Sequence, residues 1–187
     1  MTDREILDFL HIAERLKDNT RHCCSSNRRP ESVAEHSWRV SLLAMLLEDE
    51  IKDVDFSKII RMCIIHDLGE AITGDIPVFW KTKGDSDHED DMIEQLLDTL
   101  PEPQRSRFRD LFAEMHAQKT KEAKIYKALD KMEACIQHNE SPLDTWLPLE
   151  YELNQTYGVE NAKCDPKLES LRALVTEDTI AKLEKGE

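Results

Sequence analysis

A chain of 187 residues fits one domain and can bury a core without disulfides or other staples. Its formal net charge of −14 sets up a long-range field that repels nucleic acid and anionic membranes, so neither is expected as a general partner. A small anionic substrate stays open, provided that a metal or a few Arg and Lys reverse the field locally.

The opening Met1–Glu5 lacks the basic-then-apolar pattern of a secretory signal. No run of about 18 apolar residues occurs, and a cytoplasmic location is expected. The cysteines agree: Cys23 and Cys24 are adjacent and the others are scattered without CxxC spacing, as expected for free thiols in a reducing compartment.

Taken in chain order, Ile6, Phe9, Leu10, Ala13 and Leu16 recur at helical spacing and predict an amphipathic helix from Glu5 to Leu16. The polar, basic stretch from Asp18 to Pro30 has no period and reads as a loop. Ser32 with Glu35 forms a possible capping box, opening a second helix to about Asp49. Asp55 or Ser57 can cap the next helix. Its apolar residues Ile59, Ile60, Met62, Cys63, Ile64 and Ile65 run almost all round, so it is expected to be buried.

That helix ends on His66-Asp67. An imidazole and a carboxylate at the end of a buried segment cost several kcal/mol of desolvation unless something compensates, by the order of magnitude of buried charges. A divalent metal would compensate; so would a structural His–Asp pair or an N-cap. Thr73-Gly74-Asp75-Ile76-Pro77 forces a turn, and Trp80 to Asp91 reads as an exposed acidic excursion before a helix through Met92, Ile93, Leu96, Leu97 and Leu100. Pro101 and Pro103 mark a break, after which Phe108, Leu111, Phe112 and Met115 form a stripe. Thr120 precedes a long pattern with Ile125, Leu129, Met132 and Ile136 on one face. A Pro-interrupted segment with Trp146 and Leu149, a polar turn at Gly158, and a short pair of segments at Leu168–Val175 and Ile180–Leu183 close the chain. Nothing alternates with period two, and the fold class expected is all-α.

His36, His66, Asp67 and Asp130 are the polar groups on otherwise apolar helices. Alone, His36 reads as a core or capping histidine and Asp130 as a boundary residue. Together, two imidazoles and two carboxylates make a metal set with open positions, suited to Mn, Co, Fe, Ni or Zn better than Ca.

The order His36, His66-Asp67, Asp130 resembles the signature of the HD-domain metal-dependent phosphohydrolases. More narrowly, Ser32-Val33-Ala34-Glu35-His36-Ser37, His66-Asp67-Leu68-Gly69-Glu70 and Thr73-Gly74-Asp75-Ile76-Pro77 look like the HD-domain 5'-deoxynucleotidases, and the resemblance covers Leu7 to Asn139. It implies a compact helical bundle: a single HD domain over 1–187, with a core at about 5–140 and a C-terminal helical extension at about 141–187. It implies one divalent transition metal on His36, His66, Asp67 and Asp130, a 5'-(deoxy)nucleoside monophosphate as substrate, and possible pairing of two copies. Glu70 matches the family's catalytic acid, Arg21 its phosphate-contacting arginine and Asp75 a sugar-contacting position, where an Asx turn is the structural alternative. His22 stands where the family carries a tryptophan associated with excluding the ribose 2'-hydroxyl. A triphosphate or alarmone substrate, or a catalytically silent nucleotide-binding module, are the alternatives. Extra histidines, His88 and His116, are expected to lie outside the site.

Overall fold

The structure, a computed structural model, describes residues 1–186. Helix α1 (Asp3–Ala13) starts on a capping box between Thr2 and Glu5 and runs into a 3-10 turn at Glu14–Lys17. Strands β1 (Thr20–Cys24) and β2 (Pro30–Ser32) pair antiparallel, with Thr20 opposite Ser32 and Cys24 opposite Pro30. Helices follow: α2 (Val33–Leu47), α3 (Phe56–Ile65), α4 (Glu70–Thr73), α5 (Lys83–Asp98), α6 (Gln104–Ala117), α7 (Lys121–Glu140), α8 (Glu150–Thr156), α9 (Val159–Ala162) and α10 (Pro166–Lys185). The fold is all-α with one small hairpin. No helix among the described residues is long and apolar enough to cross a membrane.

Helix α7 is the axis of the molecule, packing against α2, α3, α6, α9 and α10. Its Ile125, Leu129 and Met132, spaced three and four apart, are buried against Val33 and Val40 of α2, Ile59 and Met62 of α3, and Leu168 of α10. Each such side chain contributes roughly 1.5–3 kcal/mol by leaving water. The last three helices are locked on through Arg172 of α10, whose buried guanidinium donates to the carbonyls of Tyr157 (2.9 Å) and Asn154 (2.8 Å). A buried charge is tolerated there because its donors meet carbonyl oxygens.

Four expectations are corrected. The stretch from Asp18 to Pro30 is not a loop but holds the hairpin, whose strands of five and three residues are too short and irregular to display alternation. The acidic excursion is largely helix: Thr82 caps α5 through Asp85, so the helix starts at Lys83 on a capping box rather than near Met92. Helix α3 is not buried all round, because Ile64 is 55% exposed. The two terminal segments are one helix, α10, with Asp165 as its N-cap. Asp55 is the residue that caps α3.

Candidate metal centre and cavity

Local structure sets each polar group of the site. The Ser32 hydroxyl accepts from the Glu35 amide (3.2 Å) while the Glu35 carboxylate accepts from the Ser32 amide (2.9 Å). This fixes the first turn of α2 and thereby aims His36 inward, where it is fully buried. His66 follows the last residue of α3 as its C-cap, and its Nδ1 lies 2.8 Å from the Cys63 carbonyl. A carbonyl can only accept, so Nδ1 carries the proton and Nε2 is left to face the interior. A run of tight turns from Ile65 to Ala71, with Glu70 donating its amide to the Asp67 carbonyl at 3.0 Å, then swings Asp67 and Glu70 to the same side. Gly69 is required in this turn because a Cβ would stand 2.7 Å from Cγ1 of Ile93 on α5. Asp130 enters from the middle of α7.

The four groups converge. Nε2 of His36 lies 3.2 Å from Oδ1 of Asp130 and 3.8 Å from Oδ2 of Asp67; Nε2 of His66 lies 3.1 Å from Asp67 and 3.5 Å from Asp130. Ligand atoms each about 2.1 Å from one cation stand roughly 3 to 3.5 Å apart, and His36, His66 and Asp67 come together on that scale, with Asp130 facing both imidazoles from α7. His66 Nε2 is buried with no hydrogen-bond partner among the described residues, a lone pair that a metal would use. Asp130 also accepts from the Lys127 ammonium at 2.8 Å, while Asp67 faces only the two imidazoles. Burial opposes charge on His66, yet Asp67 and Asp130 push its pKa up to about 10. The donor set therefore fits a divalent cation.

One partner lies behind the cluster that sequence reasoning missed. Nδ1 of His36 meets the carboxylate of Glu133, which in turn faces Nε of Arg39 at 3.6 Å. Glu133 sits three residues after Asp130 on the same face of α7, a spacing that could have pointed to it.

The cluster forms one end of a cavity of about 410 Å³, within the range that holds small ligands. Glu70 lines it from α4, its Oε2 without a partner among the described residues; burial, with Asp67, Asp75 and Glu89 adding repulsion, pushes its pKa up to about 10. Arg21 projects from β1 with Nε 3.6 Å from Glu31, and Lys81, Lys127 and Lys131 supply further cations around the same space. Burial works against the Arg21 charge, but the carboxylates of Glu31, Asp67 and Glu133 keep it protonated. Asp75 lines the cavity and makes no Asx-turn hydrogen bond among the described residues. His22 lines it too, beside Phe79 and Trp80. His88 is exposed, and His116 pairs with Asp90 at 3.4 Å on the rim of a smaller opening beside His66. The structure thus brings His36, Asp67, Asp130, Glu70, Arg21, His22 and Asp75 around one cavity, with His66 joining the cluster beside it, and leaves His88 and His116 outside it.

Residues 13–172 match the HD domain family. The chain belongs to this family. Among its relatives, the 5'-deoxynucleotidase HDDC2 of Homo sapiens is 32% identical over 141 residues, covering 73% of this chain and 68% of that protein. The 5'-deoxynucleotidase hdd1 of Schizosaccharomyces pombe is 29% identical over 140 residues, covering 71% and 70%. A crystal structure titled as a predicted metal-dependent phosphohydrolase from Magnetospirillum magnetotacticum has the same fold, with a TM-score of 0.82 at 22% identity over 96% of this chain and 95% of that one. A conserved protein of Pyrococcus furiosus superposes with a TM-score of 0.66 at 30% identity, covering 92% and 98%.

Proposed function

We propose that this HD-domain protein is a metal-dependent phosphohydrolase that removes the 5'-phosphate of deoxynucleoside monophosphates. The observation that carries the reading is the convergence of His36, His66, Asp67 and Asp130 at the end of a cavity lined by Arg21 and three lysines. These four side chains would hold one divalent transition ion, Mn, Co, Fe, Ni or Zn. Such an ion, when bound, supplies Lewis-acid polarisation of the phosphoryl group and a water more easily deprotonated.

The protein's own residues do the rest. Arg21 holds the phosphate through the forked geometry of its guanidinium, with Lys127 as a second cation, so that the P–O5' bond lies in line with the attacking water. Glu70, which enters with its proton, gives it to the departing 5'-oxygen and recovers one from the attacking water, leaving inorganic phosphate and a nucleoside. Asp75 and His22 line the part of the cavity beyond the phosphate. Phosphate-monoester hydrolysis has accelerations up to about 10²¹, and so one side chain without such a centre cannot account for it.

The chain acts as a single domain in this reading, with α8 of the C-terminal extension lining the cavity through Glu150, Leu153 and Asn154, and it works in the cytoplasm. Pairing of two copies is supported by the exposed apolar face that Trp38, Leu42, Met45 and Leu46 present on α2. Stripping the protein with a chelator, restoring each metal singly and measuring phosphate release from deoxy- and ribonucleoside mono- and triphosphates tests the function. Metal-dependent release from 5'-deoxynucleoside monophosphates is expected. Release only from triphosphates, or none with any metal, would overturn it. Asp67→Ala is expected to lose both metal and turnover.

A further inference from the structure

The end of the cavity remote from the His–Asp cluster carries a second group of titratable side chains that phosphate chemistry does not use. Glu150, the first residue of α8, is 4% exposed and lines the cavity. Its Oε2 accepts from the Leu147 amide at 2.6 Å. Its Oε1 faces two imidazoles, with Nε2 of His22 from β1 at 3.4 Å and Nε2 of His138 from α7 at 3.3 Å. Both nitrogens are buried and neither makes a well-directed hydrogen bond among the described residues. The rings are held from behind: His138 lies against Trp146, centroids 4.5 Å apart, and His22 against the edge of Phe79 at 5.7 Å. Oε2 is satisfied by the Leu147 amide, whereas Oε1 faces only the two imidazoles, so a donor from a ligand in the cavity can add to them.

The position of this group along α7 says what the ligand part is. Asp130, Ala134 and His138 follow at four-residue spacing on one face and all line the same cavity. Eight residues of α-helix span roughly 12 Å, the reach of a nucleoside monophosphate from its phosphorus to the far edge of its base. The methyl group of Ala134 leaves the middle open for the sugar. With phosphate at Arg21 and Asp130, the base lies against Glu150.

We propose that Glu150, positioned by His22 and His138, reads the nucleobase and selects bases that carry an exocyclic amine. The inference rests on the nucleotidase reading above and deepens it. An ionised carboxylate offers acceptors only, so an amine N–H completes it, whereas the carbonyl edge of thymine sets oxygen against oxygen. Burial opposes ionisation of Glu150, but the His138 imidazole and the Leu147 amide hold its pKa below the usual carboxylate value.

The test compares two ligands on one protein. Metal-loaded Glu70→Gln protein, able to bind but not to turn over, is titrated calorimetrically with 2'-deoxyadenosine 5'-monophosphate and with the same nucleotide bearing purine, which lacks the amine. Loss of the amine is expected to weaken binding about 10- to 100-fold, the range for a hydrogen bond to a charged group. Adding Glu150→Gln is expected to bring the two dissociation constants within a factor of about three of each other. Equal affinities in the Glu70→Gln protein would overturn the subsite and leave the nucleotidase reading standing. Binding of neither nucleotide would overturn both. The first comparison needs no change at Glu150, so a folding defect in the second variant does not blunt it.

Discussion

Nδ1 of His36 and the carboxylate of Glu133 face each other inside the seam between α2 and α7, both buried. Glu133 fixes the His36 proton on Nδ1, so that Nε2 presents its lone pair to the cluster, and the carboxylate makes that lone pair a better donor. Glu133→Gln keeps the shape and an acceptor but removes the charge. Its divalent-metal affinity is expected to fall about 10- to 100-fold, the range for such supporting partners, with Glu133→Ala at the lower end of affinity. Competition against a chromogenic chelator measures it. Unchanged affinity in Glu133→Gln would show that Glu133 only fills space.

Glu70 separates function from stability. Burial, then repulsion from Asp67, Asp75 and Glu89, raises its pKa from 4.5 to about 10 in the metal-free protein. The folded state therefore keeps a proton that the unfolded chain releases near 4.5. By linkage this contribution weakens the fold as pH rises from about 4.5 to about 10. Metal-free Glu70→Gln is expected to melt above the wild type at pH 8 and alongside it at pH 4, while metal-loaded Glu70→Gln retains its ion and loses turnover. Thermal melts at the two pH values, with phosphate release beside them, check both halves. A variant of undiminished rate would remove Glu70 from the mechanism.

How far the sequence discloses this site depends on the range of the interaction concerned. Ser32 with Glu35 is a local pattern, and the capping box it forms is legible because both partners lie within one turn. His66-Asp67 and Asp130 stand out because apolar neighbours make a polar side chain conspicuous. Glu150 offers no such contrast, lying in a polar, Pro-interrupted stretch; only the docking of α8 against α10 through Arg172, and of Asn154 onto the Cys135 carbonyl of α7, brings it to His22 and His138. The hairpin fails for the opposite reason. Its pairing of Thr20 with Ser32 is set by chain reversal at Arg28, which adopts a φ of 63°, and not by any alternation in five residues.

Gly158 tests how tightly the C-terminal helices are docked. Its φ is +77°, and a Cβ there would stand 2.8 Å from Cβ of Lys131 on α7. Lys131 cannot retreat freely, since its Nζ is 3.0 Å from Oδ1 of Asn161 and lies over the Tyr157 ring. Gly158→Ala combines the left-handed backbone cost with a backbone-proximal clash and is expected to destabilise by about 1–3 kcal/mol. Urea unfolding measures the change. A loss under about 0.5 kcal/mol, the scale of ordinary surface substitutions, would mean that α9 can shift away from α7 without cost.

The cap of α2 places an acid-sensitive contact next to a proposed metal ligand. The Arg29 guanidinium, and after it the Ser32 amide, hold the Glu35 carboxyl at about 2, below its usual 4.5. A depressed carboxylate contributes stability that is fully present above 4.5 and is lost as pH falls toward 2. Glu35 is largely solvated, so screening keeps the contribution below about 1 kcal/mol. Denaturant unfolding of wild type and Glu35→Gln between pH 5 and pH 2.5 isolates it from the other carboxylates, which titrate in both proteins. The stability difference is expected to be largest at pH 5 and to shrink as the wild-type carboxylate takes up its proton, because the Gln side chain cannot titrate. A difference that stays constant across the range would place the cap's strength in Ser32 alone, and Ser32→Ala would then account for the whole loss, about 1 kcal/mol for an N-cap.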